Sequence, residues 1–120
     1  AHLGTQMIGK LSEPRLHVLD AALALSPTPA LGGFPRDKAL ALIARCEGMD
    51  RGRYGGAVGW FDQHGNGTFA VAIRCAQLNG DRTIARLFAG GGIVADSEPL
   101  DELAETQAKL QAMLAALIRP

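Results

Sequence analysis

Residues 69–76, Phe-Ala-Val-Ala-Ile-Arg-Cys-Ala, are an apolar run carrying a single charge, and a turn-forming cluster stands on either side of it. Asp62-Gln63-His64-Gly65-Asn66-Gly67 precedes the run and Asn79-Gly80-Asp81 follows it. A short apolar run between turn signals reads as a strand, and strands joined by such short connections lie antiparallel. The Asn-Gly pair is the strongest short-range hairpin signal in the chain. Side chains alternate along a strand, so Phe69, Val71, Ile73 and Cys75 share one face. Arg74 shares the other with Ala70, Ala72 and Ala76. A guanidinium keeps its proton, so burying it without a partner is very costly. Its small neighbours leave room, and its planar fork of donors suits a carboxylate. Two readings are open at Arg74. One is an anion site for a carboxylate substrate; the other is an internal ion pair, or a strand-end arginine reaching solvent.

The rest of the chain extends this pattern. Residues 2–11 suggest a short strand. Ser12-Glu13-Pro14 is a helix-start signal, and Leu16, Leu19, Leu23 and Ala24 keep helical spacing until Pro27. Pro35 opens a second helix with Ala39, Leu40, Leu42, Ile43 and Cys46 on one face and Gly48 as its stop. Residues 54–61 read as a strand, as do residues 83–89, which lead into Gly90-Gly91-Gly92. Ser97-Glu98-Pro99 caps a last helix, whose Leu100, Leu103, Leu110, Met113, Leu114 and Leu117 recur at core-facing spacing. The order β-α-α-β-β-β-α predicts an α+β fold, an antiparallel β-meander with flanking helices.

At 120 residues the chain is one domain or part of one, and 48% apolar residues can build a core. A formal net charge of zero, with Lys and Arg scattered, excludes a nucleic-acid or membrane-surface partner. No apolar run is long enough to span a bilayer. Cys46 and Cys75 have neither CxxC nor metal-finger spacing, which predicts reduced core thiols in a cytoplasmic protein. The text begins without Met in what already reads as strand, so a longer parent chain is expected. Gly90-Gly91-Gly92-Ile93-Val94-Ala95 formally fits a dinucleotide fingerprint, but the next helix starts too late to face a pyrophosphate. Residues 62–67 do not make a calcium loop, because Ile73 stands where the bidentate Glu belongs.

Glu102, Glu105 and Lys109 fall at i, i+3 and i+7, on one face of the last helix. Glu105 and Lys109 read either as a solvated i,i+4 pair or as part of a carboxylate face. Such a face suits a hard cation such as Mg²⁺, with the ammonium holding a nearby anion.

Five blocks then follow in order. They are Pro27-Thr28-Pro29-Ala30-Leu31-Gly32-Gly33, residues 50–60 (Asp-Arg-Gly-Arg-Tyr-Gly-Gly-Ala-Val-Gly-Trp), Ala72-Ile73-Arg74, residues 87–94 (Leu-Phe-Ala-Gly-Gly-Gly-Ile-Val) and residues 102–109 (Glu-Leu-Ala-Glu-Thr-Gln-Ala-Lys). Together they resemble the C-terminal half of the chorismate-binding domain of isochorismate synthases. The wider family includes salicylate, anthranilate and aminodeoxychorismate synthases. The resemblance runs over nearly the whole chain and implies a portion of a larger chorismate-binding α/β sandwich.

The resemblance implies the following roles. Arg74 would bind a substrate carboxylate, Tyr54 would be an aromatic neighbour, and the amides of Gly90 and Gly92 would approach the same carboxylate, with Lys109 nearby. Glu105 would ligate Mg²⁺ and Glu102 would lie in or near the metal shell. Ala30 stands where aminating relatives tend to carry Thr, which points to the hydroxylating branch. Two departures are visible: Ser26 replaces a frequent His, and Gly91 replaces the usual Ala. The family's water-activating lysine, its glutamate acid and a further Mg²⁺ glutamate lie upstream of the matched region. The implied reaction is Mg²⁺-dependent conversion of chorismate to isochorismate, for menaquinone or a catechol siderophore. The chain would supply the carboxylate clamp and part of the metal site, and be inactive alone. Its partners would be chorismate and the remaining N-terminal part of the enzyme, or a second copy of the chain. The alternatives are another chorismate enzyme, such as a salicylate or anthranilate synthase, and a truncated, non-catalytic binding module.

Overall fold

The computed structural model describes residues 4–10 and 16–118. In chain order the elements are α1 (Val18–Leu25), α2 (Pro29–Gly32), α3 (Arg36–Cys46), β1 (Ala57–Phe61), β2 (Gly67–Val71), β3 (Cys75–Leu78), β4 (Ala85–Phe88) and α4 (Pro99–Ile118). The fold is α+β with antiparallel strands, as expected. Ser12-Glu13-Pro14 lies outside the described residues. The start of α1 is set instead by His17, whose Nδ1 accepts from the Leu19 amide at 3.1 Å while Asp20 accepts from the His17 amide at 3.1 Å. The helix ends at Ser26, held extended ahead of Pro27. Gly48, with φ +60°, follows α3 as its stop.

The first predicted strand, residues 2–11, does not form within its described part. Within residues 4–10 the backbone joins no ladder, and Met7 and Ile8 are 89% and 90% exposed. An extended segment becomes a strand only when a neighbour takes its backbone bonds, and no described strand does.

A second correction concerns the meander. The strands make two separate two-stranded sheets, β1–β2 and β3–β4. Gly59 stands opposite Phe69 in the first, and Gln77 opposite Arg86 in the second. The apolar run at 69–76 is therefore not one strand. Gly55 and Gly56 extend the first ladder by bonding both backbone groups of Ala72, each at 2.8 Å. The Ile73 amide then bonds the Val71 carbonyl at 3.0 Å, a tight turn centred on Ala72, and Arg74 takes φ +48°. The halves of the run pair with different strands, so the chain has to turn between them. The Asn79-Gly80 signal also differs in detail: it lies in a loop over residues 79–84, with the positive φ (+61°) at Arg82.

Packing is confined to a few joints. α4 lies on β4, α1 on β1 and β2, and α2 on α3. Among the described residues Phe88 is the one buried hydrophobic side chain. The apolar stripe of α4 forms but is only partly covered: Leu110 and Met113 are half-buried, whereas Leu100 is 80% exposed. Cys46 is likewise exposed and Cys75 half-buried, so the expected core thiols are free but not core. The chain exposes 10083 Å², against about 6,200 Å² for a self-contained globule of this mass. No described helix is long and apolar enough to cross a membrane.

Candidate functional site

A cleft of about 340 Å³ opens where five segments meet: α2, the loop after α3, the break between β2 and β3, the glycine loop after β4, and α4. Ala30, Tyr54, Arg74, Gly90, Gly92 and Lys109, all six residues singled out for the substrate side, line it. Glu102 and Glu105 do not line it; they sit on α4 beside it.

Tyr54 is placed from both sides. Its ring stacks on Phe88, with centroids 5.5 Å apart and planes at 17°. Its hydroxyl reaches the glycine loop so closely that a Cβ added at Gly90 would stand 3.0 Å from Oη. Gly90 is held on its other side by Lys109, whose Nζ donates to the Gly90 carbonyl at 2.9 Å. The same ammonium pairs with Glu105 at 2.6 Å. The i,i+4 pair therefore forms, and it also reaches into the cleft. That hydrogen bond, the Lys109 charge and the charge of Arg74 hold the Glu105 carboxyl below its ordinary range. Arg74 reaches the cleft from its left-handed backbone position at the strand break, a conformation that a non-glycine residue adopts only when its surroundings impose it.

Glu102 is held differently. Its Oε1 accepts from the Ser97 hydroxyl at 2.6 Å, and that hydroxyl in turn accepts from the Val94 amide at 3.1 Å. Its Oε2 is buried against Gly91 and has no hydrogen-bond partner among the described residues. A buried carboxylate oxygen without a donor is costly, and a cation relieves that cost. Two carboxylates one helical turn apart, one held ionised by Lys109 and one with an unsatisfied oxygen, suit a hard cation. Mg²⁺ commonly takes only one or two protein carboxylates and fills its shell with water and substrate oxygens. Among the described residues no group of three or more His, Cys, Asp or Glu could hold a metal ion, so these two would supply part of a shell.

The sequence reading missed Arg51 and Glu47, which also line the cleft. The Arg51 guanidinium bonds both Glu47 carboxylate oxygens, donates from Nη1 to the Leu31 carbonyl at 2.8 Å, and lies 5.7 Å from the centroid of the Tyr54 ring. These bonds raise the Arg51 pKa further and lower that of Glu47. The available signal was a Glu and an Arg four residues apart. It went unused because the pair lies beyond the end of α3, where helical spacing no longer applies. The assembled cleft presents Arg74 and Lys109, a polarisable ring and a bare backbone loop, with the Arg51–Glu47 pair also in its lining, a combination suited to an organic anion.

Known proteins resemble this chain over nearly its whole length. Residues 1–118 match the model of a family described as chorismate binding enzyme. A protein of Mycobacterium tuberculosis (strain H37Rv), provisionally named isochorismate synthase MenF, is 54% identical over 97% of this chain and 31% of its own length. Isochorismate synthase MenF of Bacillus subtilis is 50% identical over 97% of this chain and 24% of its own. A crystal structure from Bacillus anthracis, provisionally assigned as the 2,3-dihydroxybenzoate-specific isochorismate synthase DhbC, superposes with a TM-score of 0.85 at 47% identity. It covers 91% of this chain and 29% of that one. The chain thus spans a third or less of the length of each of these relatives.

Proposed function

The chain belongs to the family of chorismate-binding enzymes, and on that premise we propose that it is the carboxylate-clamping portion of an isochorismate synthase. The observation that carries this reading is the convergence of Arg74, Tyr54, Gly90, Gly92, Lys109 and Ala30, from five segments, on one cleft. The isochorismate synthase names of the relatives support the reaction, and through the family resemblance Ala30 favours the hydroxylating branch over the aminating one.

In this reading chorismate is converted to its isomer by adding water at C2 while the C4 hydroxyl leaves. Arg74 binds a substrate carboxylate through its fork of donors, and the amides of Gly90 and Gly92 approach the same group. Tyr54 lies against the ring, and Lys109 fixes the glycine loop through the Gly90 carbonyl. These residues orient the substrate, a positioning effect that can supply a large part of a rate enhancement. Glu105 and Glu102 would hold Mg²⁺, which when bound offsets negative charge on the substrate as the double bonds shift. The acid–base groups come from the parent protein outside this chain, whose uncovered apolar faces support such a neighbour. The free thiols of Cys46 and Cys75 support a cytoplasmic setting.

The test is turnover of chorismate by the full-length protein and by the 120-residue chain, with and without Mg²⁺, with products resolved by chromatography. Isochorismate formed by the full-length protein only with Mg²⁺, and by the short chain not at all, is expected. Salicylate or anthranilate as the first product would reassign the enzyme, and no turnover by the full-length protein would leave a binding module.

A further inference from the structure

We propose that Arg51 is a positioning residue, which fixes the Tyr54 ring against the glycine loop and so sets one wall of the cleft. The inference rests on the functional reading above only for what that wall receives; the placement of Tyr54 stands on the geometry.

Arg51 joins three separate parts of the chain. Glu47, just past α3, takes a two-pronged bond from Nε and Nη2, with the Nε bond at 2.7 Å. Leu31, in α2, takes Nη1 at 2.8 Å. The guanidinium then lies by Tyr54, within cation–π range at 5.7 Å from the ring centroid. Its backbone carbonyl also accepts from the Tyr54 amide at 2.9 Å. Gly55, beside the ring, has φ +80°, and a Cβ there would stand 3.8 Å from Nη1. The backbone thus passes close under the guanidinium.

Two simpler roles fit less well. As a direct anion ligand Arg51 is poorly placed, because three of its five N–H donors are committed to Glu47 and Leu31 and the Glu47 carboxylate already balances its charge. A solvated surface pair is exposed and dispensable, whereas only 24% and 28% of the Arg51 and Glu47 side chains are exposed. What remains is a clamp. The guanidinium lies 5.7 Å from the Tyr54 ring centroid and Phe88 stacks on the ring at 5.5 Å, while the phenol reaches Gly90, whose carbonyl Lys109 holds. Displacing the guanidinium therefore frees the ring and, through it, the loop whose amides face the cleft. Lysine cannot replace it, because a single ammonium cannot grip a carboxylate two-pronged and reach a carbonyl 20 residues away together.

The test uses the full-length protein labelled with 3-fluorotyrosine, with the Tyr54 resonance assigned by its loss in Tyr54→Phe. Arg51→Met keeps the stem and removes the fork. It is expected to shift or broaden the Tyr54 resonance and to lower kcat/KM for chorismate about tenfold. Arg51→Lys should fail to restore either. In a Tyr54→Ala background Arg51→Met should change kcat/KM less than about twofold, since the ring it positions is gone. An unmoved Tyr54 resonance in Arg51→Met overturns the proposal, and so does an equal loss of kcat/KM in both backgrounds. If Arg51→Met does not fold, Glu47→Gln weakens the same clamp and carries the same expectations. A wild-type protein that does not turn over chorismate would contradict the functional reading alone, because the resonance still decides where Arg51 holds the ring.

Discussion

In the cleft, side chains meet named partners: Arg51 with Glu47 and Leu31, Lys109 with Glu105 and Gly90, Tyr54 with Phe88. The apolar faces of β1 and α4 differ: Phe61 meets His17 edge-on, yet the faces stay open. Val58, Trp60, Phe61, Leu100 and Leu103 are between 53% and 80% exposed. The cleft is made of contacts between segments that all lie within this chain, so this stretch contains what is needed to shape it. The apolar faces are made of residues whose only use is to be covered, and the cover is not among the described residues. A site can thus be complete on one side while the core beneath its scaffold is only half built.

Four substitutions sharpen or break this contrast. The largest effect is expected at Arg74. In the full-length protein Arg74→Ala should lower kcat/KM for chorismate by about a hundredfold or more, with thermal stability nearly unchanged. Near-normal kinetics would remove Arg74 from the site. Next comes the open face, where Trp60→Ala in the same protein should cost about 3 kcal/mol in denaturant unfolding, because the side chain is expected to be covered there. A change within about 0.5 kcal/mol would mean that β1 is ordinary surface and that the contrast is false.

Smaller effects are expected around the carboxylates. Glu102 Oε2 is buried without a hydrogen-bond partner among the described residues. Glu102→Gln in the full-length protein should weaken Mg²⁺ binding several-fold by calorimetry, with kcat at saturating Mg²⁺ little changed. Unaltered affinity would take Glu102 out of the metal shell. The smallest effect concerns pH. The Arg51 hydrogen bond lowers the Glu47 pKa, so the stabilisation from this pair is fully present above the ordinary glutamate value. It is lost as pH falls through the lowered one. Glu47→Gln should flatten that acid limb of the stability curve and leave the neutral region less stable by a small constant amount. An unchanged acid limb would mean that the pair is solvated surface.

How much of this was legible in the sequence follows from the range of the forces involved. The helix α3, its glycine stop and the Asp62 turn, where Oδ1 accepts from the amides of His64 and Asn66, rest on contacts within a few residues, and local signals found them. The break at Arg74 was not legible, because the alternation of 69–76 runs straight through it. It arises from a change of partner strand, which is a long-range fact. Burial along α4 was misjudged for a related reason: spacing shows which residues want cover but not where the cover comes from. Arg51 was missed because its three contacts lie 4, 20 and 3 residues away and follow no single periodicity. The cleft set was legible only because five ordered blocks carried a family resemblance. Arg74 alone left two readings open.

The most direct test of the central claim is a crystal structure of the full-length protein with chorismate bound. The account predicts a substrate carboxylate within hydrogen-bonding distance of the Arg74 guanidinium and the amides of Gly90 and Gly92, with the ring beside Tyr54. A chorismate molecule seated elsewhere, or one in this cleft with both carboxylates turned away from Arg74, would contradict it.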